Sequence, residues 1–179
     1  SLNALVSNFN GIYLKTSENN IIFENNLTDN YDNGILVDLS SENIISNNTV
    51  EYSSNGIYLK TSQNNTIFEN ELNHNFYAIT LENSSENIIS NNTIDSNYYE
   101  NYLTAVGIYL KTSINNTILE NDIHYYSNAN VEMPSNFSAI FLDNSAENRI
   151  LRNIVGSYAT GIYLESSINN TVDENQING

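Results

Sequence analysis

Three acidic side chains stand where paired-carboxylate chemistry would need them. Glu82, Asp143 and Glu165 occupy the same place in a repeating pattern, on separate repeats. Two carboxyl groups, one of them held protonated, can cleave a glycosidic bond, and their separation sets the stereochemical outcome. His74, Asp95 and His124 are the nitrogen and oxygen donors that could ligate a metal, without the spacing of a defined site. Five tyrosines, Tyr98, Tyr99, Tyr102, Tyr125 and Tyr126, fall in two short stretches. Rings beside polar amides suit stacking on sugar faces. Tyr109 and Phe141 carry further rings at one repeated position, and Asn136 opens one of eight N-x-[ST] glycosylation sequons.

What positions these groups is a period. The chain of 179 residues copies one pattern seven times, starting at Gly11, Gly34, Gly56, Ala78, Gly107, Ala139 and Gly161. Counting each starter as position zero, position one is Ile in every copy and position three is Leu or Val. Alternation of this kind marks a strand with one buried face. Positions eleven and sixteen are aliphatic throughout, as in Ile67 and Leu72. Position six is always Ser, and positions nine and fourteen are always Asn. A period near 22 residues with one apolar face per copy predicts a solenoid whose coils bury that face only against each other. The expectation is all-β, one right-handed parallel β-helix of about 7.5 coils of ~22 residues, three short strands per coil. Residues 1–179 form one domain. The Asn rows are expected at tight corners, in left-handed backbone or as stacked amides.

Composition narrows the function. The net charge is −16, from 21 acids against 5 bases, which excludes a basic nucleic-acid-binding patch. No cysteine is present, so there are no disulfides or thiolate ligands. No apolar run reaches the length of a membrane span. Both ends stop in mid-coil without a cap. The expectation is no signal peptide and an excerpt of a longer solenoid, with further coils or other protomers meeting the ends. The 37 Asn would fit a disordered tract, but the strict aliphatic spacing argues for order.

The coil GIYL-x-x-S-x-x-N-x-[IV]-x-x-x-N-x-[ILV] resembles the parallel β-helix repeat of the pectate-lyase-like superfamily. It is most similar to the NosD-type repeats of prokaryotic, often archaeal, surface proteins. The resemblance covers essentially the whole chain. It implies carbohydrate binding or sugar hydrolysis in an extracellular or cell-surface setting. The NosD likeness also makes copper worth testing at His74, Asp95 and His124. Calcium on the carboxylates has no EF-hand motif behind it. The Asp clusters and basic triplet of polygalacturonase-like hydrolases are missing, as is a convincing lyase site.

Two insertions break the period, at about 97–106 and 125–137, on neighbouring coils and at the same place before the GIYL strand. Per-repeat insertions map to one face, often the binding face. In pectate-lyase relatives the groove runs along the strand that follows, which here is GIYL. Its outward rows are Tyr13, Leu36, Tyr58, Thr80, Tyr109, Phe141, Tyr163 and Lys15, Asp38, Lys60, Glu82, Lys111, Asp143, Glu165. Strand spacing puts Glu82 and Asp143 roughly 9–10 Å apart and Asp143 and Glu165 near 5 Å. Two readings stand at each feature. The rings bind sugar or pack on the solenoid. The charged row is catalytic or a ladder of cross-coil ion pairs. The reading favoured is a structural, carbohydrate-binding module without catalysis in this segment.

Overall fold

The computed structural model describes residues 3–95, 106–125 and 137–178. Their strands form three sheets, of eight, seven and seven strands, and every pairing is parallel. Each sheet takes every third strand of the chain, so the backbone winds as a coil, and its hand is right-handed. One seven-stranded sheet, the GIYL sheet, holds the six-residue strands Asn10–Lys15, Asn33–Asp38, Asn55–Lys60, Tyr77–Glu82, Val106–Lys111, Ser138–Asp143 and Thr160–Glu165. The other seven-stranded sheet holds three-residue strands such as Thr66–Phe68, and the eight-stranded sheet short strands such as Glu71–Asn73.

Like stacks on like because the register is set by the aliphatic rows. Ile57 pairs with Ile35 and Ile79, Ile67 with Ile45 and Ile89, and Leu72 with Val50 and Ile94. These residues are wholly buried in a single core running along the axis. A one-residue slip would turn each row out to solvent, so the rows fix the pairing. Registration survives both insertions: Ile79 still faces Ile108, and Ile108 faces Ile140.

The corners depart from expectation by one residue. Left-handed backbone falls on the residue before each invariant Ser or Asn, at Thr16, Asn19 and Glu24, with φ of 50°, 57° and 53°. The invariant polar residues instead point inward. Asn65 Oδ1 accepts from the backbone N–H and from Nδ2 of Asn43, both at 3.0 Å. Its own Nδ2 donates to the carbonyls of Ser40 and Gln63. Ser62 accepts from Ser40 N and donates to Val37 O and Lys60 O. The polar side-chain atoms of Ser62 and Asn65 are thereby satisfied inside a buried corner.

No glycine among the described residues has positive φ. The starter glycines serve close packing. A Cβ on Gly34 would lie 2.2 Å from Val50 Cγ1 and 2.7 Å from the Gly56 carbonyl.

Candidate functional site

The outer face of the GIYL sheet changes character halfway along the axis. In coils one to three, Asn10, Asn33 and Asn55 form an amide ladder, with Asn33 Nδ2 donating to Asn10 at 2.7 Å and Asn55 Nδ2 to Asn33 at 3.0 Å. Thr80 closes it by donating to Asn55. From coil four onward a stack of rings follows, stepping from the column of these asparagines, at Tyr77, to the next outward column, whose members are Thr80, Tyr109, Phe141 and Tyr163. Tyr77, Tyr109, Phe141 and Tyr163 stack with centroid distances of 5.5, 5.1 and 4.9 Å and interplanar angles of 26°, 14° and 15°. Such stacking occupies ring faces. Tyr109 and Phe141, expected to stack on sugar, each have both faces covered by neighbouring rings and present edges outward.

The charged row is organised by tyrosine rather than by ion pairs. Tyr13 donates to Asp38 at 3.2 Å, Tyr58 to Glu82, and Tyr109 to Asp143 at 3.2 Å. Each bond runs from position two of one coil to position four of the next. The expected ladder of ion pairs reduces, in this row and among the described residues, to one, Lys111 with Glu82 at 3.2 Å. Lys15 and Lys60 are exposed and make none. The pattern repeats every second coil: odd coils carry Tyr and Lys, even coils a carboxylate, until Glu165 replaces Lys in coil seven.

This arrangement bears on the acids. The hydroxyl of Tyr58 and then the ammonium of Lys111 hold the Glu82 carboxyl below its ordinary value, against the opposing effect of burial. A general acid needs the reverse shift, and the geometry makes Glu82 a hydrogen-bond acceptor for Tyr58. Asp143 and Glu165 are register partners on neighbouring strands, while Glu82 and Asp143 are separated by the Lys111 strand. Burial, with Glu82 or Asp143 beside them, pushes the Tyr58 and Tyr109 phenols well above their usual range, so both remain donors.

The described residues that bound the insertions border this sheet, since Val106 opens one of its strands and Phe137 directly precedes another. Val106 opens a strand, and Tyr125 and Phe137 are buried, so the expected loop limits contract at these residues. Tyr125 is 2% exposed and packs edge-on against Phe137 at 5.6 Å, with Tyr158 beside it. It is a core residue, not a sugar-facing ring. Tyr98, Tyr99, Tyr102, Tyr126 and Asn136 lie outside the described residues. The seven other sequon asparagines are all exposed, including Asn64 and Asn115 at left-handed corners, so exposure does not single out Asn136.

The metal candidates do not converge. His74 stacks on Tyr52 at 4.9 Å. His124 bonds Asp122 at 2.6 Å and lies over Gly156, where a Cβ would stand 2.5 Å from its Nδ1. Asp95 is the register partner of His124. No three His, Cys, Asp or Glu among the described residues could hold a metal together.

A third Asn column went unread in the sequence. Asn75 accepts from Ser53 N, and Asn30 accepts from Asn8, at position nineteen. Ser53 breaks the identity that would have revealed it, and Tyr158 takes the place in coil six.

A family model described as periplasmic copper-binding protein (NosD) matches residues 1–102 and 69–179, which together cover the chain. The chain belongs to the NosD family. No curated protein matches it by sequence. Among solved structures, the periplasmic alginate epimerase AlgG superposes with TM-score 0.77 and 18% identity over 98% of this chain and 44% of its own. DFA-IIIase from Arthrobacter chlorophenolicus A6 in complex with GF2 superposes with TM-score 0.60 and 15% identity, over 84% of this chain and 39% of its own. These likenesses establish a shared fold, and the chain spans less than half the length of both of these structures. No helix of the described residues is long and apolar enough to cross a membrane.

Proposed function

We propose that this NosD-family coil is a carbohydrate-binding module of the cell envelope or exterior, without catalysis in this segment. Polysaccharide lies along the outer face of the GIYL sheet, beside the two insertions. One observation carries the reading. Both departures from the coil period leave the same edge on neighbouring coils, between strands paired as Asp95 with His124 and as Val106 with Ser138. The face they border holds the aromatic ladder and all three lysines. The likeness to an alginate epimerase and to DFA-IIIase, and the periplasmic setting of AlgG and of the family description, support the chemistry and the location.

Among the described residues the donors do not fit the copper of the family description. There is no cysteine, His74 is stacked, and His124 is engaged by Asp122.

The test is a glycan array read with the intact chain and with a variant carrying Tyr98, Tyr99 and Tyr126 as Ala. The variant should lose about tenfold or more in affinity for the polymer bound. Equal signals would remove the loops from the site. Release of reducing or unsaturated ends that Asp143→Asn abolishes would replace the reading with polysaccharide cleavage.

A further inference from the structure

The lysines carry more than solubility. The chain has five basic residues, and its three lysines all stand in one outward row, on coils one, three and five. In register the row reads Lys15, Asp38, Lys60, Glu82, Lys111, Asp143. The carboxylates are each tied down by a tyrosine of the preceding coil, while Lys15 and Lys60 remain exposed and unpaired. Lys111 bridges Glu82 yet keeps 48% of its side chain in solvent.

Coils repeat at about 4.8 Å, roughly the advance of one pyranose unit along an extended polysaccharide, so ammonium groups recur at about 9.6 Å, every second sugar. We infer that the polymer taken by this face is an alternating one, an acidic sugar followed by an uncharged sugar, lying along the axis with its carboxylates over Lys15, Lys60 and Lys111. This rests on the carbohydrate-binding reading above. The uncharged sugars fall over Asp38, Glu82 and Asp143, whose free lone pairs accept hydroxyl or acetamido N–H donors. A polymer acidic at every sugar would set its alternate carboxylates against those three acids, a like-charge contact that selects against it. A neutral polymer leaves the ammoniums unused. The alternation therefore discriminates by pattern, where net charge alone, at −16, would reject any polyanion.

The experiment titrates the intact chain by calorimetry with three oligosaccharides of matched length. They are a hyaluronan fragment, alternating in charge; a polygalacturonate fragment, acidic throughout; and a neutral β-glucan fragment. The hyaluronan fragment should bind at least about tenfold tighter than either of the others. A Lys15→Ser/Lys60→Ser variant should lose that preference while keeping the circular dichroism of the folded coil, because neither lysine holds an ion pair among the described residues. Equal or tighter binding of the polygalacturonate fragment overturns the inference, as does an unchanged preference in the variant. A dimer in sedimentation that the same variant dissociates would give the row to a second copy instead, since the signs also complement in antiparallel pairing. Binding of the neutral fragment alone defeats the inference and leaves the carbohydrate reading standing. Silence from all three, with a blank array, defeats both.

Discussion

At the residue scale the tyrosine hydroxyls do what a sequence pattern assigns to lysine. A phenol on one coil reaches the carboxylate of the next, and the contact is made three times. Hydrogen bonds to charged groups contribute about 1.5–3 kcal/mol when well formed, and solvent on this face argues for the low end. Tyr58→Phe should therefore lower the unfolding free energy by about 1 kcal/mol in urea titrations. The same bond makes a pH signature. The Glu82 carboxyl is more acidic folded than unfolded, first through Tyr58 and then through Lys111. Its contribution is complete above the unfolded value near 4.5 and is lost as pH falls through the lower folded value. Between neutral pH and about pH 3 the wild type should lose more stability than Glu82→Gln. Parallel acid titrations of the two would show the idea wrong. The sign alternation of the row was legible in the sequence. That hydroxyls satisfy its acids was not, because it depends on how far a ring at position two reaches toward position four of the next coil.

At the scale of the coil, the buried asparagine columns set the cost of error. The Asn65 side chain serves two donors and three acceptors, whereas Asn20 stands exposed in the first coil. Each buried polar group left unpaired costs about 1–3 kcal/mol. Asn65→Ala should cost about 3 kcal/mol or more, and Asn20→Ala less than about 1 kcal/mol, read from denaturant midpoints of the two variants. Comparable losses would mean that the columns are not the corner supports. The period, the aliphatic rows, the Asn and Ser rows and the place of both insertions could all be read from spacing alone. The left-handed residue could not, since Thr, Asn, Glu and even Leu39 occupy it. Corner geometry is imposed there by the inward Ser or Asn that follows, against the preference of the residue itself. Tyr125 was misread for a related reason. A ring at a loop edge looks free in sequence, and only the fold brings Phe137 and Tyr158 around it.

At the scale of the molecule, the unit is two coils rather than one. A 22-residue consensus averages odd and even copies and hides the alternation of Tyr and Lys with carboxylate. Solenoid stability is close to a sum of coil terms and neighbour terms. Removing residues 34–55 sets Lys15 against Lys60 and leaves the Tyr13 hydroxyl without its acceptor, whereas removing residues 34–77 brings Glu82 to Tyr13 and Lys15 in the native pattern. The loss of unfolding free energy per coil removed should be greater for the shorter deletion, measured by urea unfolding of both. An equal loss per coil would reduce the alternation to decoration. The amide ladder of the first three coils adds a consequence of another kind. Asn10, Asn33 and Asn55 each precede glycine, the dipeptide most prone to lose its side-chain amide when the following nitrogen swings onto it. Here each pair is locked in a paired strand and each amide is held by its neighbour. Slow chemical ageing at these sites therefore becomes a clock for local opening of the coil. Mass spectrometry of stored protein should find Asn10, beside the exposed first coil, converted to aspartate before Asn33.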